Sequence, residues 1–212
     1  MFLELCWLWA ILPQEGIQKE SILNAYVRAV LICFCSLDFF ILSEDRKMVT
    51  VYSLSSGSER YRATDITVYA ENGFEIVGAS VGDFNHDGFL DLLLSQKRIT
   101  SSSDASALHH RLYLGDGETL KLSGWKIPDS KDHLLLFDSR GRMLIDFLGV
   151  PTTGSEELQI WSAQSEDPSG LVTGYELETL ENSCKPWTPQ SHAFADFDGD
   201  GIADLLLVCT HK

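Results

Sequence analysis

A nine-residue acidic motif that occurs twice is the feature that most constrains this chain. The first copy runs from Asp83 to Asp91 and the second from Asp196 to Asp204. Both copies read D-F-[ND]-x-D-G-x-x-D, and both continue directly into three leucines. A motif repeated with intact spacing indicates that the chain is built from copies of one structural unit.

Two weaker traces extend the repeat along the chain. The stretch from Asp138 to Asp146 retains the two outer aspartates, so the three motifs begin 55 and 58 residues apart. Asp38, which lies 53 residues before Asp91, matches only the last aspartate and is followed by an apolar run. We therefore expect about four units of 53 to 58 residues.

The segments between the acidic motifs have the pattern of β-strands. Apolar and polar residues alternate, and β-branched and aromatic residues are frequent, which indicates half-buried strands. The clearest cases are Met48–Leu54, Ile66–Tyr69, Leu112–Leu114 and Leu158–Trp161. Several short strands in each unit of this length predict an all-β fold made of β-propeller blades. About four repeats would form an incomplete propeller.

The acidic motifs predict binding sites for Ca²⁺, a hard cation that takes six to eight oxygen ligands. Side chains at positions 1, 3, 5 and 9 of each motif supply oxygens, and the residue at position 7 supplies its backbone carbonyl. The predicted ligands are Asp83, Asn85, Asp87, Phe89 and Asp91 in the first copy, and Asp196, Asp198, Asp200, Ile202 and Asp204 in the last. Gly88 and Gly201 stand where the chain must turn sharply, a conformation that glycine adopts without steric cost.

An EF-hand begins with a similar motif but requires a bidentate Glu at position 12 and flanking helices. Position 12 is Leu94 in the first copy and Leu207 in the last, and the flanking segments have strand patterns. The EF-hand is therefore excluded, whereas an ordinary Asp/Gly turn without metal stays an alternative.

The three copies are predicted to differ in affinity. The last copy offers four carboxylates and the first offers three with one amide, so the last is expected to bind Ca²⁺ more tightly. The middle copy has Arg140 and Arg142 at positions 3 and 5 and is expected to bind none. Our hypothesis is that a guanidinium group replaces the metal there as the partner of Asp138 or Asp146.

The charge of the chain agrees with a cation ligand. The sequence has 31 Asp and Glu residues against 16 Lys and Arg, a formal net charge of −15. This balance disfavours binding to nucleic acid and to anionic membrane surfaces, because both would repel the protein. None of the five cysteines forms a C-x-x-C pair, so a zinc or thioredoxin-like site has little support. The sequence leaves undecided whether Cys184 and Cys209 form a disulfide bond, which would require a secreted protein.

The N-terminal part of the chain is a region distinct from the repeats. We assign residues 1–36 to an apolar leader or a damaged first repeat and residues 37–212 to the propeller repeats. The segment from Met1 to Leu12 lacks the positive residues of a signal peptide. The apolar stretch from Ile22 to Leu42 has bilayer length, but Arg28 and Asp38 interrupt it.

Three segments carry a resemblance to a known family: Val81–Gly88, Leu136–Val150 and Ser191–Phe197. They resemble the FG-GAP, or integrin-α N-terminal-like, repeat, and in particular the T-cell immunomodulatory protein family. The resemblance implies FG-GAP-type propeller blades in a calcium-binding, non-enzymatic glycoprotein that is secreted or lies in the cell-surface membrane. It also implies immunomodulatory or adhesive signalling through a protein partner, which is a cell-surface receptor or adhesion ligand.

This chain departs from the family pattern in having about four repeats, no membrane anchor and no N-x-S/T sequon. We therefore expect a partial chain or an isoform, with membrane association through a part of the protein that is missing here.

Enzymatic activity is not expected. The six histidines show no catalytic spacing, and no P-loop or G-x-G-x-x-G motif occurs. The pair His109–His110 is interpreted as solvated loop residues. The alternative is a propeller-type carbohydrate-active enzyme or a lectin-like secreted protein, because propellers host both activities.

Overall fold

The structure is a computed structural model that describes residues 27–32, 36–54, 61–99, 107–153, 157–165, 171–178 and 193–209. These residues form strands joined by turns and loops, and they contain no helix. The strands are β1 (Val27–Ile32), β2 (Ser36–Leu42), β3 (Met48–Leu54), β4 (Tyr61–Tyr69), β5 (Phe74–Gly82), β6 (Asp91–Arg98), β7 (Leu108–Gly115), β8 (Leu120–Leu122), β9 (Leu135–Phe137), β10 (Asp146–Gly149), β11 (Gln159–Gln164), β12 (Gly174–Glu178), β13 (Ala193–Ala195) and β14 (Asp204–Leu206). The prediction of an all-β protein is confirmed.

The strands form four antiparallel sheets in which neighbours in the sheet are neighbours in the chain. The first sheet contains β1 to β4, the second β5 to β8 and the third β9 to β12, each in chain order. The fourth sheet pairs β13 with β14. No sheet closes on itself in the part of the chain that the structure describes, so the propeller arrangement stays a prediction.

The second sheet is buried on both faces, which explains the three consecutive leucines that follow Asp91 in β6. Leu92 and Leu94 point to one face and pack with Val49 and Val51 of the first sheet. Leu93 points to the other face and packs with Phe147 of the third sheet. A strand buried on both faces reads as a continuous apolar run instead of an alternating one. Burying each leucine contributes about 1.5–3 kcal/mol.

The third sheet continues this stacking. Phe147 of β10 and Trp161 of β11 are opposite each other in the ladder, so both rings lie on one face of the third sheet. That face packs against the second sheet. Leu148 faces the fourth sheet and belongs to a cluster that Leu205 and Leu207 of the last strand segment contact. The four sheets are thus joined face to face at three junctions.

The aspartates of the repeat lie at corresponding places. Asp91, Asp146 and Asp204 begin the second strand of their sheets, and Asp38 lies in β2, the second strand of the first sheet. The predicted boundary between residues 36 and 37 falls at the first residues of β2 and stays a prediction. Residues 1–26, which include most of the predicted leader, lie outside the described residues.

Candidate metal centres

Three acidic loops connect the first two strands of the second, third and fourth sheets. We name them the first loop (83–91), the middle loop (138–146) and the last loop (196–204). Each loop ends at the aspartate that begins the next strand. The two predicted metal sites therefore lie in loops of the same topology.

The first aspartate of each loop folds the loop around its own carboxylate. In the first loop, Asp83 accepts the backbone N–H groups of Asp87 at 3.0 Å and Gly88 at 2.9 Å. The two other loops repeat this bond between position 1 and the N–H at position 6. These bonds join Asp138 to Met143 at 2.6 Å and Asp196 to Gly201 at 2.9 Å. The middle loop thus retains the loop conformation although its inner acids are replaced.

The backbone φ angles also agree among the three loops. Positions 4 and 6 have left-handed φ angles in all three loops: His86 61° and Gly88 89°, Gly141 65° and Met143 61°, Gly199 82° and Gly201 86°. The predicted sharp turns at Gly88 and Gly201 are confirmed. Met143 adopts this conformation with a side chain, at a cost of roughly 1 kcal/mol.

The last aspartate of the first loop has a structural function that the spacing did not indicate. Asp91 is fully buried, and its Oδ2 accepts the N–H groups of Phe84 at 2.7 Å and Asn85 at 3.2 Å. Its Oδ1 accepts the N–H of Gly115 at 2.8 Å. Burial raises the pKa of Asp91 to about 6, although these three bonds favour the charged form.

The corresponding aspartates of the other loops accept the same bond from position 2. Asp146 accepts the N–H and the hydroxyl of Ser139, and it also accepts the N–H of Ala163 at 2.8 Å. Asp204 accepts the N–H of Phe197 at 2.8 Å. A carboxylate oxygen has two lone-pair directions, so the bond from Phe197 leaves Asp204 capacity for a cation.

The last loop brings three acidic side chains together. Oxygen atoms of Asp196, Asp198 and Asp204 all lie within 4.8 Å of one another. Oxygens at 2.3–2.6 Å from a calcium ion are at most about 5 Å apart, so this set fits around one ion. No other group of three acidic, His or Cys side chains converges this closely among the described residues. Asp200 is not in the group, and its Oδ1 accepts the N–H of Ile202 at 2.7 Å.

The predicted ligands of the first loop are engaged with one another. The Nδ2 of Asn85 donates to Asp87 at 2.7 Å, and the other oxygen of Asp87 accepts the N–H of Phe89 at 2.8 Å. The Oδ1 of Asn85 accepts the N–H of Asp87 at 3.2 Å. Asn85 and Asp87 thus satisfy each other's polar groups without a cation. The two loops are therefore not equally prepared for a metal.

The third sheet holds the first loop from outside. The N–H of Val172 donates to the carbonyl of Asn85 at 2.8 Å, and the hydroxyl of Tyr175 donates to the carbonyl of Phe84 at 3.3 Å. The backbone of the first loop is thus bonded to the neighbouring sheet at two successive carbonyls.

In the middle loop a guanidinium group approaches the last aspartate. The Nη2 of Arg142 lies 3.5 Å from the Oδ1 of Asp146, which is fully buried. Asp138 is instead satisfied by backbone N–H groups, including that of Arg142 at 3.0 Å. Of the two partners in our hypothesis, Asp146 is therefore the one that Arg142 contacts through its side chain.

A buried histidine corrects the interpretation of His109–His110 as solvated loop residues. Both residues lie in β7, and His110 is 7% exposed. Its Nδ1 lies 3.0 Å from the hydroxyl of Ser95 and its Nε2 lies 2.7 Å from that of Ser130. Ser130 donates its proton to the carbonyl of Asp132, so Nε2 of the ring is the donor and Nδ1 the acceptor.

The environment of His110 opposes its protonation. Burial, together with the nearby His133 and His109, lowers its pKa to about 3. The neutral ring satisfies both of its nitrogens within the protein. No sequence pattern indicates this network, because its partners lie 15 and 20 residues away from His110.

Two further observations concern the cellular setting. Cys209 is disulfide-bonded, and Cys184, the partner that the sequence left open, lies outside the described residues. Among the residues that the structure describes, none belongs to a helix long and apolar enough to cross a membrane.

The fold and the loops define an all-β protein of stacked antiparallel sheets with acidic interstrand loops. The chain is similar to the T-cell immunomodulatory protein of Homo sapiens, with 25% identity over 175 residues. The match covers 80% of this chain and 26% of the human protein, so it spans about a quarter of that protein's length. The similarity supports a distant relationship. No protein-family model and no solved structure matches the chain.

Proposed function

We propose that this chain is a calcium-binding, non-enzymatic segment of an FG-GAP-type propeller. It acts in protein interactions, either at the cell surface or as part of a secreted protein. The observation that carries the proposal is the convergence of Asp196, Asp198 and Asp204 within 4.8 Å. The calcium site, the propeller arrangement and the cellular role each have separate support.

The calcium site is supported by the chemistry of the donors. Carboxylate oxygens are hard ligands suited to Ca²⁺, and a cation among three of them at this separation relieves their mutual repulsion. The last loop holds Asp196 and Asp204 in place through backbone N–H groups before any ion binds. A site prepared in this way loses little conformational entropy when the ion enters.

The propeller arrangement is supported by the sheet topology. Propeller blades are four-stranded antiparallel sheets that pack face to face around an axis. The first three sheets have four strands in chain order, and apolar clusters join each sheet to the next. The loops before β6, β10 and β14 repeat at the same place in successive sheets.

The extracellular role is supported by the disulfide bond of Cys209 and by the distant similarity to the human T-cell immunomodulatory protein. Disulfides persist mainly in secreted and cell-surface proteins. The proposal assigns Ca²⁺ a structural task and assigns recognition of a receptor or adhesion ligand to the surface of the sheets. It assigns the chain no catalytic step.

The calcium proposal is tested by equilibrium dialysis of metal-depleted protein against radioactive calcium. We expect the Asp198→Ala variant to bind one ion fewer than the wild type, because Asp198 belongs to the converging group and holds no neighbouring strand. The control is Glu118→Ala, which removes an exposed acidic side chain outside the loops. Equal calcium binding by Asp198→Ala and the wild type would contradict the proposed site.

The cell-surface role is tested separately by the binding of fluorescently labelled protein to T cells in calcium and in chelator. Saturable binding that requires calcium and is lost in Asp198→Ala supports the proposal. Absence of saturable binding to these cells would remove support for the immunomodulatory role and leave the calcium site standing.

A further inference from the structure

The last loop contacts the middle loop through one pair of residues. Gly141, at position 4 of the middle loop, lies against the side chain of Ile202, at position 7 of the last loop. A Cβ added at Gly141 would come within 2.9 Å of Cγ1 and 3.3 Å of Cδ1 of Ile202. Carbon atoms pack at about 3.5–4.0 Å from one another. Ile202 therefore occupies the space that a side chain at position 141 would need.

Gly141 is also required for the backbone conformation of the middle loop. Its φ is 65°, a left-handed value that is costly for a residue with a Cβ. The carboxylate of Asp138 holds this turn by accepting the N–H groups of Arg142 at 3.0 Å and Met143 at 2.6 Å. These bonds lie within the middle loop and need no cation. The middle loop therefore offers Ile202 the same packing surface in calcium and in chelator.

The first loop has a counterpart of this contact. Phe89, also at position 7, lies against Gly117 in the turn between β7 and β8, where an added Cβ would come within 2.9 Å of the ring carbon Cε1. Gly117 has a left-handed φ of 85°. Both loops with a full set of predicted ligands thus place the side chain of position 7 on a left-handed glycine of another segment. In the middle loop this position is Leu144, which is buried with Ala163 and Val172.

Position 7 matters because its backbone carbonyl is a predicted calcium ligand. The last loop holds the backbone of Ile202 through its N–H, which donates to Asp200 at 2.7 Å, and through Gly201, which donates to Asp196 at 2.9 Å. The contact with Gly141 fixes the side chain, and a β-branched side chain has little rotational freedom about its backbone. A ligand that is held before the ion binds loses little conformational entropy on binding.

We propose that Gly141 is a positioning residue for the calcium site of the last loop, and that the middle loop is the packing surface of Ile202. The inference rests on the proposed calcium binding of the last loop. It gives a reason for the conformation of the middle loop, which follows that of its neighbours although Arg140 and Arg142 stand at two of its ligand positions. A loop that is expected to bind no ion thus supports the site of the next sheet.

The proposal is tested by equilibrium dialysis against radioactive calcium in Asp87→Ala protein, in which the predicted site of the last loop remains. We expect Gly141→Ala to weaken calcium binding about fivefold or more, as for typical couplings between sites. The matched control is Gly73→Ala, which should bind calcium as the Asp87→Ala parent does. Gly73 also has a left-handed φ, 84°, but an added Cβ there meets no atom within 4 Å.

A second substitution separates the contact from the backbone strain. Ile202→Ala removes the carbons that an added Cβ at Gly141 would meet, so Gly141→Ala should weaken calcium binding no further in that background. Urea denaturation in chelator gives a readout without metal. The loss of stability caused by Gly141→Ala should exceed that caused by Gly73→Ala, and the excess should disappear in the Ile202→Ala background. Circular dichroism establishes that every variant is folded before binding is measured.

The possible failures of this inference and of the calcium site can be told apart. Equal calcium affinity of Gly141→Ala and Gly73→Ala would overturn the inference and leave the calcium site standing. An equal loss of affinity on Gly141→Ala with Ile202 and with Ile202→Ala would also overturn it, because the loss would then not come from the contact. Absence of calcium binding by the Asp87→Ala parent would refute the calcium site itself, and the inference with it.

Discussion

The carboxylate of Asp91 accepts the backbone N–H of Gly115 at 2.8 Å, which joins the first loop to the end of β7. Gly115 also lies against the carbonyl of Leu90, where an added Cβ would come within 2.1 Å of the oxygen. The loop and the strand thus approach so closely that a side chain at position 115 does not fit. Asp91 is therefore a structural residue of the second sheet as well as a predicted calcium ligand.

Replacing Asp91 should destabilise the protein even without calcium. Asp91→Ala leaves the N–H groups of Phe84, Asn85 and Gly115 without their acceptor in a buried place. Each orphaned group costs about 1–3 kcal/mol, so we expect a loss of at least about 3 kcal/mol in the free energy of unfolding. Urea denaturation in chelator measures it. The exposed Asp65→Ala is the control, and an equally small change in both variants would refute this role.

The case of Asp91 shows what motif spacing can and cannot predict. The positions of the acids, the sharp turns at Gly88 and Gly201 and the strand that follows each loop were all predicted, because local chain geometry determines them. The bond to Gly115 was not predicted, because it joins residues 24 positions apart. Whether the predicted ligands bind calcium stays a prediction.

The two metal loops should differ in affinity. The last loop has three converging carboxylates, whereas in the first loop Asn85 donates its amide N–H to Asp87. Calorimetric titration should show Asp198→Ala losing the tighter binding event and Asp87→Ala the weaker one. The ranking fails if Asp87→Ala removes the tighter event.

Arg142 should stabilise the middle loop without metal. Its guanidinium lies 3.5 Å from the buried carboxylate of Asp146. Because Arg142 is partly exposed, solvent screens the pair, and we expect Arg142→Met to cost about 1–2 kcal/mol. The cost, measured by urea denaturation, should be the same in calcium and in chelator. The exposed Arg62→Met serves as control, and unchanged stability of Arg142→Met would show that the pair contributes nothing.

The buried histidine should make stability depend on pH. The pKa of His110 is about 3 in the folded protein and about 6.5 in an unfolded chain, so the unfolded state binds the extra proton first as pH falls. Stability is therefore full above about pH 6.5 and decreases by up to about 1.4 kcal/mol per pH unit toward pH 3. Urea denaturation in chelator across this range should show that slope.

Substitution separates His110 from the other groups that titrate in this range. His110→Asn should be less stable at neutral pH and should lose this part of the slope, whereas His86→Asn, at an exposed position, should retain it. Parallel pH profiles for the wild type and His110→Asn would contradict the assignment.

The strands were easier to predict than the contacts of their side chains. The alternating run Met48–Leu54 coincides with β3, and Leu112–Leu114 lies within β7. His110 was misinterpreted, because its polar ring breaks the apolar pattern, and only tertiary contacts with Ser95 and Ser130 show that it is buried and satisfied. Alternation reports which face a residue occupies, but it does not report the partner that a buried polar group finds.

The melting temperature in calcium and in chelator tests the calcium claim most directly. An ion that binds only the folded state stabilises it by about 2.7 kcal/mol at a hundred times its dissociation constant, which raises the melting temperature of a domain of this size by several degrees. We expect this rise for the wild type and its absence in the double variant Asp87→Ala, Asp198→Ala. Identical melting temperatures of the wild type in calcium and in chelator would contradict the account.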